Sequence, residues 1–339
     1  MKFWDREEEK KHLKGYLKSE PNAILFVYGP KSSGKSTLLM KVLDELKGEL
    51  YTYYYDLRLV PVSGYKEVLR IFFRERGWRE RLKKAIPEIA SATLKYFEID
   101  GKVLEDMFEM KLNPFEVMEN AIRGRKSRNK KKPVIVFDEL QKLKEVYVNG
   151  GEQRPLVREL FNFFVRLTKV LHLSHVIVMS SDTFFIEEVY SDSTLKNCSR
   201  YYLVDYFDDE VAYKVLVNEG VEEEEAKEIV ERAGGVPWIL EEIVESEDPM
   251  KELGELQREA YSKLINVLAG AKEEGWLNEA EEVLRKVIND EIDIISDRKK
   301  VERLVQKEIL FYDPINVVVR FQTRLDELAA RELLKEGAK

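Results

Sequence analysis

The sequence predicts an α/β protein with a parallel sheet, followed by a helical lid and a winged helix-turn-helix domain, and three observations carry that reading. Gly29-Pro30-Lys31-Ser32-Ser33-Gly34-Lys35-Ser36-Thr37 follows the strand-like run Ala23 to Tyr28 and leads into the helix-like Leu38 to Leu43. Pro133 to Phe137 is a short apolar run closed by Asp138 and Glu139, the pattern of a buried parallel strand with acids at its carboxyl edge. Near the end, three helical stripes give way to period-two runs at Ile309 to Tyr312 and Val317 to Phe321, separated by Asp313-Pro314-Ile315-Asn316.

Taken in order, Asp5 with Glu8 marks a helix start, and Leu13, Tyr16 and Leu17 form its apolar stripe. The aromatic run Tyr51 to Tyr55 has the β-propensity of a second strand. Tyr65 to Arg128 reads as helical, broken near Pro87, Gly101 and Pro114. Val176 to Met179, ending in Ser180-Ser181, and Tyr201 to Val204 add two strands, with helices between them. Asp208 to Glu245 is helical, interrupted by Gly234-Gly235-Val236-Pro237, and Asp248-Pro249 marks a further break. Stripes at Leu256 to Leu268, Ala280 to Val287 and Val301 to Val305 precede the hairpin, and a last helix carries Leu325, Leu328, Leu333 and Leu334. The expected divisions are 1–206, 207–256 for the lid, and 257–339 for the winged helix.

The string G-x-x-x-x-G-K-S between a strand and a helix is a phosphate loop. Gly29 and Gly34 let the backbone curl so that successive N–H groups face an anion, Lys35 adds a cation, and Ser36 offers a hydroxyl to Mg²⁺. A nucleoside triphosphate is the expected ligand. About a hundred residues on, Asp138 suits a Mg²⁺ contact and Glu139 a carboxylate that polarises a water aimed at the terminal phosphate. The spacing leaves room for an extra strand between the two motifs, as in the P-loop branch that uses a catalytic glutamate. Ser180 or Ser181 could sense the terminal phosphate, and Arg200, Arg154 and Arg158 are candidate fingers for transition-state charge.

A chain of 339 residues exceeds what one core usually supports. Net charge of −8 argues against a surface coated for nucleic acid, so DNA contact must be regional. Two segments qualify: Arg298, Lys299, Lys300 and Arg303 on the third C-terminal helix, and the cluster from Arg123 to Lys132. A further basic stretch, Arg70 to Lys84, is diluted by Glu75 and Glu80. The single cysteine, Cys198, rules out an internal disulfide and a Cys-rich zinc site. His172 and His175 have no third ligand near them and read as structural. The amino end has no apolar signal core and no run reaches the roughly 18 apolar residues of a membrane span, so a cytoplasmic protein with no membrane contact is expected.

This set of motifs resembles the archaeal ATPase family of the STAND class, P-loop ATPases with a helical lid and a C-terminal winged helix. Phe3-Trp4-Asp5-Arg6-Glu7 is similar to the family's amino-terminal signature, which implies that Arg6 lies beside the nucleotide base. Phe137-Asp138-Glu139-Leu140-Gln141 looks like its Asp-Glu-aromatic-Gln segment. Met179 and Ser199 stand where glycine is usual, and Gly234 to Pro237 match the lid's Gly-x-Pro motif, implying that Pro237 packs near the nucleotide. Origin-recognition initiators of the AAA+ class share the loop and the acidic strand, but carry a lid arginine where this chain has Gly-Gly-Val-Pro. The resemblance implies a Mg²⁺-dependent switch ATPase acting on nucleic acid or in regulation. Its rival is a scaffold that holds nucleotide and binds a protein client through the winged helix.

Overall fold

The computed structural model describes residues 4, 6–58, 64–76, 96–148 and 154–336. The chain divides into two compact units, one of residues 7–28 and 35–203, the other of 1–6, 29–34 and 204–339.

The first unit is built on a parallel sheet. Its strands are β1 (Ile24–Tyr28), β2 (Leu50–Asp56), β3 (Phe73–Glu75), β4 (Phe97–Ile99), β5 (Lys132–Asp138), β6 (Tyr147–Val148), β7 (Arg154–Pro155), β8 (His175–Ser180) and β9 (Ser199–Leu203). Five of them form the main sheet in the order β2-β5-β8-β1-β9, with every neighbouring pair parallel. β8 therefore lies between β1 and β5. Helices cover both faces of such a sheet, which is why β1 and β8 are buried at every residue and read as unbroken apolar runs. The register aligns Tyr28 with Ser180, Asp138 with Met179, and Asp56 with Asp138, so the carboxyl ends of β1, β8, β5 and β2 share one edge.

The stretch expected to be helical from Tyr65 to Arg128 is more broken than its periodicity suggests. Helix Tyr65–Phe72 runs directly into β3, which pairs in parallel with β4. Gly101 and Pro114 begin helices, after Asp100 and Asn113 whose side chains accept from Lys102 N–H and Phe115 N–H. The break expected at Pro87 falls outside the described residues. His175 opens β8 and His172 sits in the turn before it, so the two do not share a helical face.

In the second unit, helices Asp209–Asn218, Glu223–Ala233 and Pro237–Glu245 are followed by the 25-residue helix Pro249–Glu273. Asp208 and Asp248 cap the first and last of these by accepting from Val211 and Lys251 N–H. The expected boundary between residues 256 and 257 thus falls inside one uninterrupted helix. Helices Leu277–Ile288 and Ile294–Gln306 lead to β10 (Leu310–Asp313), which pairs antiparallel with β11 (Val318–Phe321) before the helix Arg324–Glu336. Leu325 of that last helix shares a core with Leu216, Ile229, Ile239, Leu240, Leu253 and Leu256, so the final helix packs against the helices that open this unit. Gly235 is fixed by close approach: Phe207 N–H donates to its carbonyl, and a Cβ there would stand 2.0 Å from the Phe207 oxygen.

Candidate functional site

The phosphate loop owes its shape to positive backbone angles. Gly34 has φ of 86° with open space where a Cβ would be, so its requirement is conformational, and Ser32 adopts φ of 58°. Ser33 N–H donates to Pro30 O at 3.3 Å, closing the turn. In the same unit, Tyr206 OH donates to Lys31 O at 3.1 Å and Arg6 Nη2 to Ser33 O at 2.8 Å. Arg6 is buried, has φ of 75°, and lies 4.3 Å over the Phe207 ring. The Lys31 ammonium is 2.5 Å from Glu308. Pro237 is buried as the first residue of its helix, one residue beyond the Gly235–Phe207 bridge and Val236.

Helix Lys35–Glu45 begins the other half of the motif, with Lys35 buried and Thr37 in its first turn. Ser36 Oγ donates to Asp138 Oδ2 at 2.8 Å. The same oxygen accepts from Tyr54 OH and from Arg58 Nη2, each at 2.8 Å, while Asp56 grips Arg58 through both of its oxygens at 2.9 Å. Burial pushes the Asp138 carboxyl above the usual aspartate range, although Tyr54, Ser36 and Arg58 all pull it down. Burial and then the Asp138 charge drive the Tyr54 hydroxyl far above the ordinary tyrosine range, so it remains a donor. A buried carboxylate facing a hydroxyl is the hard-oxygen pair that suits Mg²⁺, with nucleotide and water completing the shell. Among the described residues no group of three or more His, Cys, Asp and Glu could hold a metal without such help.

Glu139 stands one residue beyond β5 in the left-handed region, at φ 63° and ψ 49°, while its N–H still donates to Met179 O at 2.9 Å. That twist turns its carboxylate toward Ser181, whose hydroxyl lies 3.1 and 3.2 Å from the two oxygens. Gln141 Nε2 donates to the same carboxylate, and the fully buried Ser180 donates to Gln141 Oε1 at 2.9 Å.

Lys35, Ser36, Asp138, Glu139, Ser180 and Ser181 therefore belong to one unit and meet at one sheet edge. Arg200 does not join them. It pairs with Leu25, three residues before the edge marked by Tyr28 and Leu203, and borders a groove with Glu8, His12 and Tyr16. Arg154, in β7, and Arg158, in the first turn of helix Leu156–Val165, are both exposed. Lysines 126, 131 and 132 donate to the carbonyls of His172, Lys47 and Lys18, and Arg123 pairs with Glu119. Arg298 pairs with Glu302, Lys300 with Glu282 and Asp297, and Arg303 with Glu279. Sequence reasoning gave no role to Tyr54, Arg58 or Gln141. Tyr54 and Arg58 come from β2 and the turn after it, which parallel pairing brings to the end of the acidic strand, and Gln141 comes from the turn after Glu139.

A five-stranded parallel sheet whose β1 leads in the chain to the phosphate-loop sequence, with paired acids two strands away, is a P-loop ATPase fold. The chain belongs to the family of ATPase domains found predominantly in Archaea, whose model matches residues 3–243. It is 39% identical over 337 residues to an uncharacterised ATP-binding protein of Methanocaldococcus jannaschii, covering 94% of this chain and 91% of that one. An uncharacterised ATP-binding protein of Pyrococcus abyssi is 32% identical over 352 residues, with 98% and 99% covered. Among solved structures, a Walker-type ATPase of Pyrococcus abyssi aligns with TM-score 0.64 at 17% identity over 97% of this chain and 96% of that one. The ORC2 protein of Aeropyrum pernix, in ADPNP and ADP complexes, aligns with TM-score 0.50 at 12% identity over 99% and 95%. Both likenesses are of fold.

Proposed function

We propose that the protein binds ATP with Mg²⁺ and hydrolyses it to ADP and phosphate, working as a switch in a regulatory or nucleic-acid-linked role. The observation that carries this reading is the pair of acids: Asp138 anchored on the Ser36 hydroxyl, and Glu139 turned out of the strand into a separate hydrogen-bonded setting. In this reading Gly29 to Thr37 cradle the phosphates, with Lys35 as the fixed cation. Ser36 and Asp138 hold Mg²⁺, which supplies neutralisation of phosphate charge when bound. Glu139 orients and deprotonates the attacking water, and Ser180 senses the terminal phosphate. Residues 1–206 act as the nucleotide domain, 207–256 as the lid and 257–339 as the winged helix. ATP-binding relatives support the ligand.

Phosphate release and binding of a fluorescent ATP analogue test it on three proteins. Lys35→Ala is expected to abolish binding or weaken it strongly. Glu139→Gln is expected to keep binding while slowing hydrolysis by about a hundredfold or more. Unchanged affinity in the first variant, or unchanged turnover in the second, would remove the assignment.

A second reading is a nucleotide-holding scaffold whose C-terminal domain binds protein. It is favoured by the carboxylates that engage Arg298, Lys300 and Arg303, since cations already neutralised release few counterions from DNA. Stimulation of turnover by DNA supports the nucleic-acid-linked switch; ADP retained through purification with negligible turnover supports the scaffold.

A further inference from the structure

Gln141 lies in the 3-10 turn Leu140–Leu143, immediately after the left-handed Glu139. A residue other than glycine in that conformation costs about 1–2 kcal/mol, and what it achieves here is to fold the chain back so that Gln141 lies alongside Glu139. The amide can face only one way. Asp182 N–H donates to Ser180 Oγ at 3.0 Å, and the Ser180 hydroxyl donates to Gln141 Oε1 at 2.9 Å, a nearer acceptor than Asp182 O at 3.4 Å. The Gln141 NH₂ group then faces the Glu139 carboxylate, which can only accept. A flipped amide would set carbonyl oxygen against carboxylate. The result is a directed chain, from the Asp182 N–H through the Ser180 hydroxyl and the Gln141 amide to Glu139. Ser181 holds the same carboxylate from a second direction.

We propose that Gln141 is a positioning residue that couples Ser180 to Glu139, so that the hydroxyl sensing the terminal phosphate also sets the aim of the carboxylate that prepares the water. This rests on the hydrolytic reading above. Gln141 touches neither phosphate nor water in this role; it acts through Glu139. With the chain intact the Gln141 amide holds the carboxylate at one aim, and loss of either link leaves it free to swing away. Hydrogen-bonded groups in series behave as one unit when broken, so damage at two of them does not multiply.

The test uses the full chain and measures kcat, KM, the dissociation constant of a fluorescent ATP analogue and the melting midpoint. Gln141→Leu and Ser180→Ala are each expected to lower kcat by about tenfold to a hundredfold, as removal of an orienting partner does, with the nucleotide affinity of Gln141→Leu within about twofold of wild type. The double variant is expected to be no slower than the worse single one. A loss confined to kcat in Gln141→Leu, with affinity and melting midpoint kept, is a split that a purely structural role would not produce. Wild-type kcat in Gln141→Leu, or multiplying losses in the double variant, would each overturn the coupling while wild-type turnover left the hydrolytic reading standing. A wild-type protein that binds ATP but releases no phosphate would overturn both.

Discussion

His175 shows how one residue sets the acid tolerance of the first unit. It is fully buried at the start of β8, packs edge-on to Tyr16 with ring centres 4.9 Å apart, and among the described residues neither ring nitrogen has a close hydrogen-bond partner. Burial, then the charge of Lys132, lowers its pKa from 6.5 to about 4. A base depressed in the fold contributes stability above its unfolded pKa and loses it as pH falls toward the folded one. Stability should therefore decline between about pH 6.5 and 4, by about 3 kcal/mol for this group. His175→Phe keeps the ring packing and removes the titration. Its melting midpoint is expected to match or exceed wild type at pH 7.5 and to exceed it clearly at pH 5; parallel acid profiles for the two proteins would refute the assignment. Nothing in the sequence around His175 announced this, because its burial against Tyr16 is set by the fold rather than by the local pattern.

At the scale of elements, legibility followed burial. β1, β5 and β8 were readable because strands covered on both faces carry unbroken apolar runs, and the phosphate loop was readable because its glycines and lysine are demanded by backbone geometry. The three-residue β3 and β4 were not, since they are too short to establish a period inside a helical stretch. Asp138 and Glu139 were legible as a pair, but the Ser180–Gln141–Glu139 chain depends on the left-handed turn at Glu139, which sequence alone does not encode for a residue other than glycine. The basic run from Arg123 to Lys132 was legible as charge and illegible as purpose. Lys132 donates to Lys18 O at 2.6 Å and Lys131 to Lys47 O at 2.8 Å, carbonyls at or just beyond the ends of helices Glu7–Lys18 and Lys35–Glu45. Cations there complement the helix dipole. Lys131→Ala and Lys132→Ala are each expected to cost about 0.3–1 kcal/mol in denaturant unfolding, more at low salt, with nucleotide affinity unchanged. Loss of DNA affinity at full stability would assign the run to nucleic acid instead.

At the scale of the whole molecule, the first half of the phosphate loop belongs to the same compact unit as residues 204–339. Tyr206 and Arg6 hold its carbonyls, Gln322 donates to the Tyr206 hydroxyl at 3.0 Å, and Glu308 holds the Lys31 side chain while Lys263 holds the Glu308 carbonyl at 2.7 Å. Any rearrangement of the loop on binding nucleotide is thus felt by residues of the C-terminal helices and hairpin without an intermediary. Linkage makes the effect reciprocal: if nucleotide draws Lys31 from Glu308, then removing Glu308 must favour nucleotide by the same free energy. The pair is largely exposed, at 61% for Lys31 and 48% for Glu308, so its worth is at most about 1 kcal/mol. Glu308→Gln frees the Lys31 ammonium and removes a negative charge from beside an anion-binding loop. ATP affinity is expected to tighten by up to about fivefold at low ionic strength and to return to the wild-type value in about 0.5 M salt, where exposed charges are screened. Titration of a fluorescent ATP analogue at both salt concentrations measures it. Weaker binding, or a gain that salt leaves untouched, would mean that Glu308 supports the loop rather than restraining it, and that the C-terminal residues stabilise the nucleotide-bound form instead of opposing it.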